Sequence, residues 1–237
     1  MRRRTIEDVA RTTVPLTLDL LDALYDATGA PCRSCLFWER EPVHRERLDA
    51  HARAAEKEAW VSEVLREWGS CGRIALIDKR PVGYVIYAPP SFVPGAAAFP
   101  TAPVSADAVL LTTAWVHPEH TGGGIGRLLV QGMARDLVGR DGIRAVEAFA
   151  WTGRGAAFGA SRSACVVPAD FLARVGFKTQ RAHARTPRMR MEMRSLATWR
   201  DEVEAAWERI VGAVRRPKPV PTPVPTPVPR EARGPRS

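Results

Sequence analysis

Apolar residues along this chain recur with two different periods, and the switches between them divide it into helices and strands. Leu16, Leu18, Leu20, Leu21 and Leu24 predict a first helix over residues 15–26. Cys35-Leu36-Phe37-Trp38 reads as a short strand. Residues 43–68 are charged, alanine-rich and nearly free of breakers, which predicts one long helix or two in succession. Residues 73–77 and 82–88 flank Asp78-Lys79-Arg80-Pro81 and predict an antiparallel hairpin. A Pro, Ala and Gly-rich loop over 89–103 leads to Ala108-Val109-Leu110-Leu111-Thr112-Thr113-Ala114-Trp115-Val116, which is rich in β-formers and reads as a buried strand. Leu128, Leu129, Met133, Leu137 and Val138 then return to helical spacing, and residues 145–150 and 189–193 predict two further strands. Ser195 is placed to cap a final helix through Val214, with Leu196, Trp199, Val203, Trp207, Ile210 and Val211 as its apolar stripe.

Between the strand ending at Val116 and the following helix lies His117-Pro118-Glu119-His120-Thr121-Gly122-Gly123-Gly124-Ile125-Gly126-Arg127. Glycines without Cβ atoms take positive φ and let the backbone approach a ligand closely. The free N–H groups at a helix start, reinforced by its dipole, face an anion, so this loop suits phosphate. It is not a Walker loop, because no lysine follows Gly124 or Gly126. Nor is it a dinucleotide fingerprint, whose third glycine would fall on Arg127.

The same residues resemble the acetyl-CoA site of the GNAT superfamily of N-acetyltransferases. That family shows Val-x-Pro, then Arg/Gln-x-x-Gly-x-Gly/Ala, then a helix bearing Leu-Leu. Val116, Pro118, Gly124, Gly126 and Leu128-Leu129 match, and Thr121 stands where Arg or Gln is usual. Phe171-Leu172-Ala173-Arg174-Val175-Gly176-Phe177 resembles the family's Phe-Tyr-x-x-x-Gly-Phe, which closes a helix and enters a strand. Leu172 replaces the tyrosine that protonates the departing CoA thiolate in many members. In motif the resemblance covers about residues 108–180, and in element order about 15–194. It implies an α/β (α+β) chain with the GNAT fold: a central mixed, mostly antiparallel sheet flanked by helices, with an extra C-terminal helix. Residues 1–214 would form the acetyltransferase domain. The cofactor-binding residues it implies are Trp115, Val116, Thr121, Gly122, Gly123, Gly124, Ile125, Gly126 and Arg127, with acetyl-CoA as cosubstrate.

Direct transfer to an amine needs an acceptor for the ammonium proton. Glu147 leads, because alternate residues of its strand point toward the cleft, and Asp107, Glu119, His117, His120 and His183 are the other candidates. A solvated or structural role is the alternative for each. The non-catalytic alternative for the whole chain is an acyl-CoA-binding or interaction protein that kept the loop and lost the acid. The expected acceptor is a small-molecule or peptide amine, and a homodimer is left open.

Composition narrows the partners. The 237 residues are 45% hydrophobic, enough for a sizeable core, and no run of 18 or more apolar residues occurs. No apolar signal core follows the basic N-terminus, so a cytoplasmic protein without a membrane partner is expected. Of the net charge of +9, residues 214–237 contribute six Lys/Arg against one Glu, leaving 29 basic and 25 acidic residues elsewhere. With no basic motif interleaved by aromatics, specific nucleic-acid binding is not expected. Residues 215–237 form a basic tail with proline at every second position from Pro217 to Pro229, which predicts an extended rod or a disordered terminus, with partner docking as its functional reading.

The four cysteines at 32, 35, 71 and 165 are too sparse for a disulfide framework. A zinc site built on Cys32-Arg33-Ser34-Cys35 would have to recruit Cys71, Cys165 or distant histidines, and no metal is expected. Residues 31–39, with Phe37 and Trp38, follow the first helix, where acceptor pockets of the resembling family often lie. Packing is the leading reading for these aromatics. His183, Arg185 and Arg188 near the last strands are read as solvated, with an anionic acceptor or the CoA phosphate as the alternative.

Overall fold

The computed structural model describes residues 10–30, 33–153 and 165–193. It opens with a strand that the apolar pattern does not announce. β1 (Arg11–Pro15) carries one aliphatic residue, Val14, and pairs antiparallel with β2 (Gly72–Ile77) at the edge of the sheet. β2 turns into β3 (Arg80–Ala88) through Asp78 and Lys79, both at positive φ (48° and 67°). Such a two-residue turn matches the right-handed twist of the strands it joins. The Asp78 carboxylate also accepts the Ala10 N–H at 3.2 Å, which fixes the start of β1 against the turn.

β3 pairs antiparallel with β4 (Ala108–Val116), and the register steps from Ile86–Thr113 to Tyr87–Leu111. Thr112 is therefore the extra residue of a bulge, and its buried hydroxyl donates to the Ile86 carbonyl at 3.0 Å. A bulge bends its strand and increases the local twist. β4 then runs parallel to β5 (Ala145–Trp151) for three registered pairs only, from Ala108–Ala145 to Leu110–Glu147. Beyond them the strands part, and β6 (Val167–Pro168) enters on that side, parallel to β5 at Ala150 and Trp151. The other edge of β5 is covered antiparallel by β8 (Arg188–Glu192), with β7 (Lys178–Arg181) outermost. The sheet order is β1-β2-β3-β4-β5-β8-β7, with all pairs on that path antiparallel except β4–β5.

Helices cover both faces. On one, α1 (Leu18–Thr28) and α3 (Ala50–Glu67) bury Leu21, Leu24, Trp60, Val61 and Val64 against Ile74, Tyr84, Ile86, Leu110 and Phe149. Thr17 caps α1 by accepting the Leu20 N–H at 3.3 Å, and Gly29, at φ 65°, ends it. Asp49 caps α3 by accepting the Ala52 N–H at 2.8 Å, and the short α2 (Pro42–Glu46) precedes it. On the other face α4 (Ile125–Leu137) lies across β1 to β4 and buries Leu129, Val130, Met133 and Leu137. The Tyr87 hydroxyl donates to Asp136 from below, and Arg140, just past α4, stacks 4.0 Å over Trp68. α5 (Ala169–Arg174) packs on β5 and β6. All described residues lie within the compact unit Met1–Thr198, and among them no helix is long and apolar enough to cross a membrane.

The two-helix reading of 43–68, the hairpin and the strands at 108–116, 145–150 and 189–193 match α2–α3, β2–β3, β4, β5 and β8 within one or two residues. The strand expected at Cys35–Trp38 is instead a series of turns. Among the described residues no strand pairs with it, and its carbonyls find other donors: the Lys57 ammonium at Cys35 (3.3 Å), the Arg45 guanidinium at Phe37 (3.0 Å), and the Arg40 and Gly95 N–H groups at Leu36 and Trp38. Its aromatic residues face the core, where Trp38 stacks on Phe99 at 5.0 Å and near-parallel to Phe149 at 6.1 Å. The first helix begins at Leu18 rather than residue 15, because Pro15 closes β1. The expected helix from Ser195, the tail and Cys32 lie outside the described residues.

Beneath those turns sits a buried ion pair. Lys57 of α3 and Glu39 are 4% and 1% exposed, and the ammonium donates to the carboxylate. Burial is the largest influence and works against a charged lysine, but Glu39, helped by Cys35, outweighs it and the pKa of Lys57 is raised. The stability gained is therefore complete at neutral pH and is lost only as pH rises through the lysine's elevated range. Removing one partner strands the other charge in the core. Lys57→Met should cost about 3–5 kcal/mol in denaturant unfolding, and adding Glu39→Gln should recover most of it. A single mutant as stable as the double would contradict this.

Candidate functional site

Where β4 and β5 part, the molecule has a cleft of about 480 Å³. One wall is the outer end of β4 at Ala114 and Val116, and the opposite wall is Pro168 at the end of β6 with Phe171, Arg174 and Val175 along α5 and its C-terminus. Its end is the glycine turn, with His120, Thr121, Gly122, Gly124, Ile125, Gly126 and Arg127. The turn has this shape for local reasons. Pro118 opens a single helical turn that Thr121 ends, its hydroxyl donating to the Pro118 carbonyl at 2.7 Å. Gly122 and Gly124 follow at φ 78° and 82°, a region that other L-residues seldom enter. Gly124 is the N-cap of α4 and has no side chain to cap it.

The helix start is consequently open. Its first internal bond runs from the Leu128 N–H to the Gly124 carbonyl, 3.0 Å, so the N–H groups of Ile125, Gly126 and Arg127 precede the ladder. A Cβ added at Gly122 or Gly124 would meet nothing within 4 Å, which makes the space above the turn room for a ligand rather than packed interior. The wall around it includes Arg127, Arg174 and His120 and no carboxylate. From the far side Arg11 of β1 donates to the Gly123 carbonyl at 2.8 Å, and a second hollow of about 270 Å³ lies between Arg11, Gly123, Arg127 and Gln131. α4 is pressed closely into place: a Cβ at Gly126 would come within 2.6 Å of Phe171, and one at Gly132 within 2.8 Å of the Thr13 hydroxyl.

Of the loop residues singled out from the sequence, Val116, Thr121, Gly122, Gly124, Ile125, Gly126 and Arg127 surround the cleft, while Gly123 lies on the Arg11 side. Trp115 is not part of the cleft wall. Its ring packs near Tyr84 at 6.0 Å and His117 at 6.1 Å. Leu172 is fully buried and also absent from that wall, where Phe171 and Val175 stand. Arg11, Phe171 and Arg174 were not singled out as ligand contacts. Arg174 carried a signal, its place in the second motif, but Arg11 carried none, since β1 itself was not predicted.

Glu147 occupies the last registered pair of β4 and β5 and is wholly buried. It does not stand free toward the cleft. Its oxygens accept from the Ser105 hydroxyl at 2.6 Å, the Ser105 N–H at 3.1 Å and Arg190 at 3.3 Å, and Arg188 lies 3.4 Å away. Arg190 also donates a bidentate pair of hydrogen bonds to Asp107, 2.9 Å to each oxygen, and this contact holds the Asp107 carboxyl below its usual pKa. His183 accepts the Thr186 N–H on Nδ1 at 3.0 Å, so in the neutral ring Nε2 carries the proton and donates. His117 and His120 face one another at 5.8 Å beside the glycine turn, and Glu119 is exposed. The six candidate bases are thus scattered rather than gathered at one point. Among the described residues no cluster suits a metal ion.

No curated protein matches the chain. Solved structures that resemble it include the PaiA N-acetyltransferase of Thermoplasma acidophilum in complex with coenzyme A, 14% identical, covering 77% of this chain and 99% of that one at a TM-score of 0.47. An N-acetyltransferase of Staphylococcus aureus Mu50 is 11% identical over 78% and 99%, with a TM-score of 0.48. The ribosomal-protein-S18-alanine N-acetyltransferase of Escherichia coli is 13% identical over 78% and 94%, at 0.43. A model of the acetyltransferase (GNAT) family matches residues 32–157, more than half of the chain and including β4, the glycine turn, α4 and β5. The chain therefore belongs to the GNAT family of acetyltransferases.

Proposed function

We propose that this protein is an acetyl-CoA-dependent N-acetyltransferase that passes the acetyl group directly to the amine of a small molecule or peptide. The observation that carries the reading is the glycine turn at the start of α4, whose first-turn N–H groups precede the helix ladder, with cationic side chains and, among the described residues, no carboxylate in its wall. That arrangement suits a pyrophosphate. Ile125, Gly126 and Arg127 would hold it through their backbone, with Arg127 and Arg174 adding charge at the rim. The outer end of β4, from Leu111 to Val116, has no registered partner on its β5 side and offers backbone groups to the amides of the pantetheine arm. Acetyl-CoA supplies an activated thioester, and the chain's part is to align it with the amine and keep it ordered.

Glu147 we assign to positioning rather than proton transfer. A carboxylate that already accepts two bonds from Ser105 and one from Arg190 ties β5, β8 and the loop before β4 together at the point where the sheet divides. A second reading, a CoA-binding protein without turnover, is favoured by Leu172, which has no proton to donate where relatives carry tyrosine.

Binding, turnover and two variants decide these points. Acetyl-CoA should raise the melting temperature of the protein, and thiol release should appear with at least one member of an amine panel. Gly124→Glu places a carboxylate in the cradle and should weaken CoA binding by about 100-fold or more in calorimetry. Stabilisation without turnover on any amine would favour the second reading, and unchanged affinity in the variant would refute the cradle. Glu147→Gln should lower stability by about 3 kcal/mol while the pH profile of kcat/KM keeps its shape. Loss of the acidic limb of that profile would make Glu147 the base after all.

A further inference from the structure

Both ends of the glycine turn are fixed by neighbouring residues. The Thr121 hydroxyl donates to the Pro118 carbonyl at 2.7 Å, and the Gly124 carbonyl accepts the Leu128 N–H at 3.0 Å. Between them lies the trans peptide that joins Gly123 to Gly124, and the torsions that rotate it are ψ of Gly123 and φ of Gly124. Neither residue has a Cβ, so sterics alone select no single orientation for this peptide. The contact that selects one comes from a strand 112 residues earlier, where Arg11 of β1 donates to the Gly123 carbonyl at 2.8 Å.

Arg11 is itself well anchored. The preceding residue, Ala10, donates to the Asp78 carboxylate at 3.2 Å, and Arg11 stands opposite Ile77 in the β1–β2 pairing. Two residues on, Thr13 lies so close to α4 that a Cβ at Gly132 would come within 2.8 Å of its hydroxyl, and Arg73 donates to the Thr13 carbonyl at 3.2 Å. β1 and α4 are therefore held at a set distance, which the guanidinium spans to reach the turn. It does so from outside the cleft. Arg11 lines the smaller hollow and, among the described residues, is not part of the cleft wall, whereas Gly124 borders both.

We propose that Arg11 is a positioning residue for the anion site: by holding the Gly123 carbonyl toward itself, it turns the Gly124 N–H, anti to that carbonyl across the planar peptide, toward the cleft. The proposal rests on the reading of the cleft as the CoA site. Arg11 acts there through one backbone group and not by touching the anion. With the peptide reversed, a carbonyl oxygen would face the pyrophosphate in place of a donor, and an acceptor cannot bind an anion.

The test uses the full chain with Arg11→Met, which keeps an unbranched stem and removes the donors, and Arg11→Lys, which retains a donor. Without ligand, the NMR resonances of the Gly123 carbonyl carbon and the Gly124 amide should shift in Arg11→Met and less in Arg11→Lys, while the amides of Thr13 and Gly132 stay in place. In calorimetry with coenzyme A, Arg11→Met should bind about tenfold more weakly, and Arg11→Lys should recover part of the loss. Unchanged affinity in Arg11→Met, or weaker affinity with an unmoved Gly123 carbonyl, would overturn the proposal. So would shifts at Thr13 and Gly132 larger than those at Gly123 and Gly124, which would make Arg11 a support of β1–α4 packing. If the unmutated chain does not bind coenzyme A, the proposed function falls, whereas the ligand-free Gly123 resonance still decides whether Arg11 sets this peptide.

Discussion

Parallel pairing between β4 and β5 ends at Leu110 and Glu147, and the sheet must find other partners for everything beyond that point. Backbone groups cannot be left buried and unmet. On the β5 side β6 supplies the answer at Ala150 and Trp151, and on the β4 side the Thr112 bulge has already turned the strand away, its own hydroxyl taking the Ile86 carbonyl. The result is a wedge-shaped opening through the middle of the sheet whose rim is backbone. At its apex Glu147, Ser105, Arg188 and Arg190 hold strands and loop together through charge-assisted bonds. The glycine turn lies at its mouth because the strand that diverges runs directly into it. Function in this molecule is thus a consequence of where one strand pair stops.

Much of that could be read from the chain because it is written in local terms. Glycines at 122, 124 and 126 report backbone shape, and the apolar spacing of α4 and the β-rich run before it bracket them. Contacts across the sheet were not legible in the same way. β1 has one aliphatic residue and is held by pairing with β2, which lies nearly sixty residues on. The Phe37-Trp38 run has the composition of a strand, yet its place is decided by Phe99, Phe149 and Lys57. Glu147 was visible as a polar residue in an apolar strand, but its partners Arg188 and Arg190 lie on β8, and only the fold shows that they meet it.

The same reasoning separates two kinds of buried polarity here. Lys57 with Glu39, and Glu147 with Ser105 and Arg190, are sets in which opposite charges and neighbouring donors meet one another. The helix start at Gly124 is different: its first-turn N–H groups precede the helix ladder and border the cleft. Such pairs tie elements of the fold together, and the glycine turn is where we propose that an anion binds.

The central claim, that the backbone of this turn is the anion site, can be followed atom by atom. In an amide NMR titration with coenzyme A, the N–H resonances of Gly122 to Arg127 should move most and saturate together, with those of Ala114 and Val116 following. If the largest shifts fall elsewhere while these amides stay in place, the assignment of the cleft is wrong.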